Sequence, residues 1–481
     1  MSSSRVVRVH AGDQVGAQSL RDGIARIQSE LKVSPGFAPE VEEAARRAAD
    51  SPRLPALDRT DLPLVTIDPP SSMDLDQALH LERDGSGYVV YYAIADVAAF
   101  IEPGDPVDVA ANERGETLYG ADSKVPLHPT VLSEGAASLL PDQTRPALLW
   151  TIHVDDTGEG TDVQVERAQV RSTAQLDYAG VQQAIDDGSA GETLLLLKEL
   201  GELRLAREAA RGGISLPLPE QEVDIEGDTW SLEFRSLIPA ESWNAQISLL
   251  TGFAAASLMV YARVGLLRTL PPPDPRDVQR LHRTARALHI EWPAEQLYPD
   301  FIRALDPGQP HEAAMINACT RLLRGSGYVG FDGEVPADPV HSALASEYAH
   351  VTAPLRRLGD RYAGEICVAL CAGTEVPAWV LEKLHVVPET MRDSGRRAHQ
   401  YEAAVLDLVE AGVLQHRVGE TFQGVIVDLD EKDDTRGTVT VQDPAVEARV
   451  SADQALPLGQ DVHVTLAQAD VASRAVVFRL A

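Results

Sequence analysis

Cysteine is scarce in this sequence. Three cysteines, Cys319, Cys367 and Cys371, occur among 481 residues. An odd number without paired CxxC spacing argues against both a zinc cluster and the disulfide framework of a secreted domain. The N-terminal residues contain no apolar segment of signal-peptide length. We therefore expect a protein of the reducing cytoplasm.

Long uncharged runs are also rare. One run, residues 242–262 (SWNAQISLLTGFAAASLMVYA), reaches membrane length. Polar side chains interrupt it at Asn244, Gln246, Ser248, Thr251 and Ser257. Because polar groups are costly inside a bilayer, we interpret the run as a buried helix and expect no membrane association.

Positive charge is in short supply. The 42 basic side chains face 73 acidic ones, which gives a formal net charge of −31. Such a charge favours solubility and repels polyanions at long range. A local basic groove is still compatible with it, and residues 350–361 (HVTAPLRRLGDR) are the candidate for such a patch.

The length predicts two or three domains. In residues 1–58, Leu20, Ile24, Ile27 and Leu31 repeat with helical spacing, and a second helix can begin at Pro39. This pair of helices fits a simple packing unit or a helix-turn-helix module that contacts nucleic acid. We place the first domain boundary after residue 58.

The remaining chain divides into two regions that differ in their predicted secondary structure. Strand-like segments dominate residues 60–170, and helical patterns follow up to residue 417, so residues 59–417 predict an α+β domain. Five short alternating segments in residues 418–481 predict an OB-fold β-barrel. Its aromatic residues are Phe422 and Phe478, so it lacks an obvious surface for stacking bases.

Three aspartates stand close together after a strand-like run. Asp68, Asp74 and Asp76 lie in the segment LVTIDPPSSMDLDQALHLE, and alternation along an extended chain would turn Asp74 and Asp76 to the same side. Clustered carboxylates are the ligands that Mg²⁺ or Mn²⁺ prefers. A solvated loop is the alternative, and spacing alone does not decide between the two.

Four ordered motifs make the chain resemble the ribonuclease II and ribonuclease R (RNB) family. They are TIDPPSSMDLDQAL, YYAIADVAAFIEPGDPVD, RGETLY and YAHVTAPLRRLGD. The resemblance implies an RNB catalytic domain followed by the OB-type tail. It also implies a processive exoribonuclease that hydrolyses single-stranded RNA from its 3′ end to nucleoside 5′-monophosphates with Mg²⁺, or Mn²⁺ as a substitute. No nucleotide cofactor is expected, and we expect a monomer.

The resemblance also assigns roles to the acidic motif. It implies that Asp68 and Asp74 are metal ligands and that Asp76 is both a ligand and the aspartate on which cleavage depends. Gln77 stands where the family carries a fourth aspartate. Its amide oxygen can ligate a metal but brings no charge, so we expect activity with a higher metal requirement.

Further roles follow from the other motifs. The resemblance implies that Arg356 contacts the scissile phosphate and that Tyr119 stacks near the 3′-terminal bases. Glu402 would meet the terminal nucleotide, and Arg357 and His350 join the RNA-contacting set. The alternatives are an ion pair of Arg356 or Arg357 with Asp360, ordinary packing for Tyr119 and a solvated charge for Glu402.

Two other functions compete with the exoribonuclease. The first is an RNA-binding relative that has lost cleavage through Gln77. The second is a small-molecule phosphohydrolase, which fits the acidic charge but leaves the OB-type tail and Tyr119 unexplained.

Overall fold

The computed structural model describes residues 14–121, 123–216, 218, 220–226 and 229–481. The helices are α1 (Gln14–Glu30), α2 (Pro39–Asp50), α3 (Pro106–Arg114), α4 (Tyr178–Asp186), α5 (Glu192–Arg211), α6 (Pro239–Ala262), α7 (Pro275–Ala287), α8 (Tyr298–Arg303), α9 (Pro310–Cys319), α10 (Leu358–Ala372), α11 (Ala378–Lys383) and α12 (Val387–Leu414). Two 3₁₀ turns (Val97–Ala99 and Thr320–Leu323) and a π-helical turn (Leu132–Ala136) accompany them.

In the described part of the chain, the strands form two closed barrels and four two-stranded sheets. They are β1 (Leu64–Ile67), β2 (Gln77–Asp84), β3 (Gly87–Ala95), β4 (Leu118–Tyr119), β5 (Lys124–Val125), β6 (Thr144–Val154), β7 (Gly160–Leu176), β8 (Glu220–Glu226), β9 (Thr229–Arg235), β10 (Val264–Thr269), β11 (Gly327–Asp332), β12 (Val340–His341), β13 (Ser346–Glu347), β14 (Thr421–Leu429), β15 (Arg436–Gln442), β16 (Ala445–Ser451), β17 (Asp461–Asp470) and β18 (Ala475–Leu480).

The central barrel has the strand order β1-β2-β3-β6-β7 and is closed by parallel pairing of β1 with β7. Strand β3 is buried along almost its whole length, because helices cover one of its faces and the barrel interior the other. Tyr92 and Trp150, which face each other across β3 and β6, are fully buried. This α+β arrangement confirms the predicted fold class.

Helix α6 contains the long uncharged run. Within the described ranges it is the one helix long and apolar enough to cross a membrane by length and composition. Here it packs against α5, α10 and β10. Two of its buried amides are hydrogen-bonded within the protein: Asn244 donates to the Tyr178 hydroxyl at 3.3 Å and Gln246 to the Glu208 carboxylate at 2.7 Å. These contacts agree with a buried helix, and the expected lack of membrane association stays a prediction.

The two N-terminal helices dock on different parts of the chain. Helix α1 packs against α12, where a Cβ on Gly23 would come within 2.7 Å of Leu408, so glycine permits the close approach. Helix α2 packs against α3 and the π-helical turn through Val41 and Ala45. The helical N-terminal region is confirmed. The boundary after residue 58 and the helix-turn-helix alternative stay predictions.

The C-terminal barrel has the strand order β14-β15-β16-β18-β17, which confirms the predicted five-stranded OB-type fold. Phe422 and Phe478 are both buried and meet edge to face, with ring centroids 5.7 Å apart. They therefore form part of the barrel core and do not offer a surface on which bases could stack.

Candidate active site

The acidic motif lies where β1 ends and β2 begins. Asp68 directly follows β1, and Asp74 and Asp76 lie in the loop that leads to Gln77, the first residue of β2. Ser138 fixes this loop, because its hydroxyl accepts a hydrogen bond from the Leu75 amide at 2.9 Å and donates to the Met73 carbonyl at 2.6 Å. Leu75, between the two aspartates, is fully buried and anchors the loop in the core.

Asp76 is a buried carboxylate with two partners from the arginine motif. Its Oδ1 accepts a hydrogen bond from the Leu355 amide at 2.8 Å, and its Oδ2 lies 3.6 Å from Nε of Arg356. Asp76 is 5% exposed, whereas the Arg356 side chain is 43% exposed. The arginine thus connects the buried carboxylate with solvent, where a phosphate can approach.

In the arginine motif, Arg356 has the most exposed guanidinium. Arg357 is paired with Asp360 through two hydrogen bonds of 2.8 and 3.0 Å, and Arg361 is buried against Asp108 at 2.6 Å. The prediction of a basic patch over residues 350–361 is therefore wrong, because each of its three arginines has a carboxylate partner, which for Arg356 is Asp76 at 3.6 Å. The ion pair that the sequence left open belongs to Arg357.

Tyr119 and Lys124 face each other on a small hairpin beside the aspartates. Strand β4 pairs with β5 so that Tyr119 lies opposite Lys124, and Thr117 donates through its backbone amide to the Arg356 carbonyl at 3.0 Å. This bond joins the hairpin to the arginine motif. Tyr119 remains 41% exposed and is free to contact a ligand.

Gln77 is held by the protein on both sides of its amide. Its Nε2 donates to the Thr352 carbonyl at 2.7 Å, and its Oε1 accepts a hydrogen bond from the hydroxyl of the fully buried Tyr92. A side chain used in this way braces β2 against the segment that carries Arg356. The hydrogen bond from Tyr92 weakens the amide oxygen as a metal ligand.

Burial changes the pKa values of Asp68 and Asp76. Burial raises the pKa of Asp68 to about 6, although the charge of Arg356 acts in the opposite direction. Burial likewise raises the pKa of Asp76 to about 8, against the charge of Arg356 and the hydrogen bond from Leu355. Carboxyl groups with raised pKa values in one cluster gain stability from a bound cation, which favours their ionised forms.

His350 and Glu402 lie outside this cluster. The hydroxyl of Tyr328 lies 2.6 Å from Nδ1 of His350, and burial, together with the charge of Arg357, lowers the pKa of His350 well below its usual value. Glu402 is exposed on α12, and burial of part of its carboxyl raises its pKa. RNA contacts by His350, Arg357 and Glu402 stay predictions.

A divalent cation suits part of this donor set. Asp68 is the freest donor, since no hydrogen bond reaches its carboxylate from the described part of the chain. Asp74 contacts Lys124 through Oδ1, and Asp76 accepts the Leu355 amide through Oδ1. The Oδ2 oxygen of each residue is therefore the more available donor, although Oδ2 of Asp76 lies 3.6 Å from Arg356. Within the same described residues, however, no group of three or more His, Cys, Asp or Glu side chains is arranged to hold a metal. By their chemistry these carboxylate oxygens suit a cation such as Mg²⁺, and metal binding by Asp68, Asp74 and Asp76 stays a prediction.

Carboxylates beside an exposed arginine, with an aromatic side chain next to them, are suited to phosphodiester hydrolysis. Residues 57–371 match the RNB domain family, and residues 420–481 match the RNase II-type exonuclease C-terminal S1 domain. The chain therefore belongs to the RNB family, which confirms the resemblance seen in the motifs.

The relatives of this chain include ribonucleases. Ribonuclease R of Escherichia coli (strain K12) is 27% identical over a match that covers 89% of this chain and 53% of that protein. This chain thus spans about half the length of that relative.

Solved structures share the fold. The apo form of Mycoplasma genitalium RNase R matches with a TM-score of 0.85 at 20% identity, over 96% of this chain and 78% of that one. Its complex with ribose-methylated single-stranded RNA matches with a TM-score of 0.83 at 19% identity and the same coverage. Yeast Ssd1, a pseudonuclease, matches with a TM-score of 0.71 at 16% identity, over 93% of this chain and 58% of that one.

Sequence reasoning missed the polar partners of the site. Lys124 and Glu134 lie in no motif, and no local pattern connects either of them with Asp74. Tyr92 and Thr352, which hold Gln77, read as ordinary strand and loop residues. A lone lysine two residues before a proline in a polar turn was the available signal for Lys124, and it is a weak one.

Proposed function

We propose that this protein is a metal-dependent, processive 3′-to-5′ exoribonuclease that hydrolyses single-stranded RNA to nucleoside 5′-monophosphates. The observation that carries the proposal is the pair of Asp76 and Arg356, a buried carboxylate beside a partly exposed guanidinium. A family fold without this pair would suit binding alone. The complex of Mycoplasma genitalium RNase R with ribose-methylated single-stranded RNA supports the choice of substrate.

In the proposed reaction, the residues of the site have separate roles. Arg356 can bind two oxygens of the scissile phosphate and offset the charge that develops on it. Tyr119 offers a partly exposed ring to the last bases of the strand. Bound Mg²⁺, or Mn²⁺ in its place, would activate water and neutralise the leaving 3′ oxygen. Asp68, with Asp74 and Asp76, would hold that ion.

The cellular setting is proposed on sequence grounds. We infer a cytoplasmic monomer that needs no nucleotide cofactor and no membrane. Glu402 remains our candidate for contact with the terminal ribose, whose 2′-hydroxyl distinguishes RNA from DNA.

One competing function has a specific observation in its favour. Gln77 is neutral and is hydrogen-bonded to Tyr92 and Thr352, so the site carries less charge than one with a fourth aspartate. The fold is also shared by a pseudonuclease. An RNA-binding protein without cleavage is therefore the second candidate.

The two candidates separate in one assay. The protein would be incubated with a 5′-labelled single-stranded RNA of a few tens of nucleotides in Mg²⁺, Mn²⁺ or EDTA, with Asp76→Asn as the matched control. We expect a metal-dependent jump to a short labelled product and release of monophosphates by the unaltered chain alone. Binding without shortening at saturating Mg²⁺ and Mn²⁺ would establish the RNA-binding function instead.

A further inference from the structure

Lys124 forms an ion pair with Asp74, one of the predicted metal ligands. The ammonium group of Lys124 lies 2.7 Å from Oδ1 of Asp74 and 2.9 Å from Oε1 of Glu134. The side chains of all three residues are between 15% and 28% exposed, so this is a partly buried bridge. Such pairs are screened less by solvent and salt than ion pairs on the surface.

The fold fixes this bridge from both ends. Lys124 is paired with Tyr119 across the β4–β5 hairpin, and the turn between the two strands is closed by a 2.8 Å hydrogen bond from the Gly120 amide to the Ser123 carbonyl. Glu134 lies in the π-helical turn, which packs against α2. π-Helical turns are rare in proteins, and those that do occur often lie at functional sites.

The ammonium group of Lys124 contacts one carboxylate oxygen of Asp74 and one of Glu134 at hydrogen-bonding distance. Lysine side chains carry a positive charge at neutral pH. A protonated lysine between two carboxylates does locally what a bound cation does, because it balances their charge and fixes their positions.

The local charges favour one divalent ion. When ionised, Asp68, Asp74, Asp76 and Glu134 carry four negative charges. Lys124 and Arg356 face them with two positive charges. One divalent ion balances the remainder, whereas a second would leave an excess of positive charge before RNA binds. The neutral Gln77 also favours a single ion, because it does not supply the negative charge that a further aspartate would offer to a second ion.

We propose that Lys124 is a resident cation of the active site, which holds Asp74 where a second divalent ion would otherwise bind, so that the aspartate cluster takes one divalent ion. This inference rests on the proposed metal-dependent function. Lys124 is then a positioning residue that acts through Asp74.

The test counts metal ions in the absence of RNA. Metal-free protein would be titrated with Mn²⁺ alone, with free Mn²⁺ followed by electron paramagnetic resonance and heats followed by calorimetry. Because the surface is strongly acidic, ions at the site are defined as those lost in the double variant Asp68→Asn/Asp74→Asn. We expect one site-bound Mn²⁺ in the unaltered chain. Two would overturn the proposal, and this count requires no variant of Lys124.

Variants of Lys124 give the second readout. Lys124→Met should gain a second Mn²⁺ or bind the first about tenfold or more tightly, because one positive charge has left the cluster. Lys124→Arg keeps the charge and should behave like the unaltered chain, as should Lys432→Met, which removes an exposed lysine in the C-terminal barrel. An unchanged count and affinity in folded Lys124→Met would overturn the proposal.

The role of Lys124 and the exoribonuclease function can be refuted independently of each other. The same protein samples would be assayed with labelled RNA. One Mn²⁺ at the site without RNA shortening would refute the exoribonuclease and leave the role of Lys124 intact. RNA shortening with two Mn²⁺ ions at the site would do the reverse.

Discussion

Asp76 and Arg356 meet at 3.6 Å, and the next arginine in the chain turns to a different aspartate. Arg357 forms a bidentate pair with Asp360, which is 1% exposed and also accepts a 2.7 Å hydrogen bond from the Ala353 amide. Two adjacent residues of the same type thus have different surroundings. The first faces the candidate site, and the second holds together the segment that presents it.

Substitutions of the two arginines should therefore have different effects. Arg356→Gln should lower the turnover of RNA by about a hundredfold or more, because a positive charge aimed at the phosphate is lost, and should leave the melting temperature nearly unchanged. Arg357→Gln should destabilise the fold by about 3–5 kcal/mol, because it leaves the buried Asp360 without its partner. Single-turnover RNA cleavage and thermal unfolding measure the two effects. Equal losses of stability in both variants would contradict this division.

Replacement of Asp76 should separate cleavage from binding. Asp76→Asn keeps the shape of the side chain and a hydrogen-bond acceptor for Leu355 but removes the charge, so turnover should fall by about a hundredfold or more with little change in RNA affinity. Cleavage of labelled RNA and fluorescence anisotropy give the two numbers. A turnover within a few fold of the unaltered chain would show that Asp76 does not act on the reaction.

Much of the fold could be predicted because its signals are local. Alternation along β14 to β18 indicated a five-stranded barrel, and the apolar spacing of α1 indicated a helix. The aspartates and Arg356 could be placed together because ordered motifs carried them. These signals do not depend on knowing which distant residues meet.

The polar partners of the site could not be predicted because they are set by tertiary structure. Gln77 donates to Thr352, which is 275 residues away, and Lys124 reaches Asp74 across 50 residues. Spacing could not decide which arginine pairs with Asp360, since both were within reach. The choice follows from the way the segment before α10 is anchored to Asp76 and Asp360 through backbone amides.

Tyr119 should determine the size of the final product. Tyr119→Ala removes the exposed ring beside the aspartates, so the last bases lose a stacking partner worth about 1–3 kcal/mol, and the shortest 5′-labelled product should become longer. Denaturing gels at single-nucleotide resolution would show the change. Tyr261→Ala is the matched control, because Tyr261 is 93% exposed at the end of α6. The same end product in both variants would contradict a role for Tyr119 in holding the 3′ end.

Stability without metal should fall as pH rises. The pKa values of Asp68 and Asp76 are raised from 3.8 to about 6 and about 8, so in this range the folded chain binds more protons than the unfolded chain. Their contribution to the free energy of unfolding is complete below about pH 4, declines as each group ionises and levels off above the folded pKa of Asp76. Each such proton changes that free energy by at most about 1.4 kcal/mol per pH unit.

Asp76→Asn isolates the upper part of this decline. In EDTA, the free energy of unfolding of the unaltered chain should fall more steeply between pH 6 and pH 8 than that of the variant, because Asp76 ionises last. Chemical denaturation at several pH values measures the difference, and Asp453→Asn, at an exposed aspartate of the C-terminal barrel, is the control. Mg²⁺ favours the ionised carboxylates, so its stabilising effect should grow over the same interval. Parallel curves for the unaltered chain and Asp76→Asn would show that the buried carboxyl group titrates outside this range.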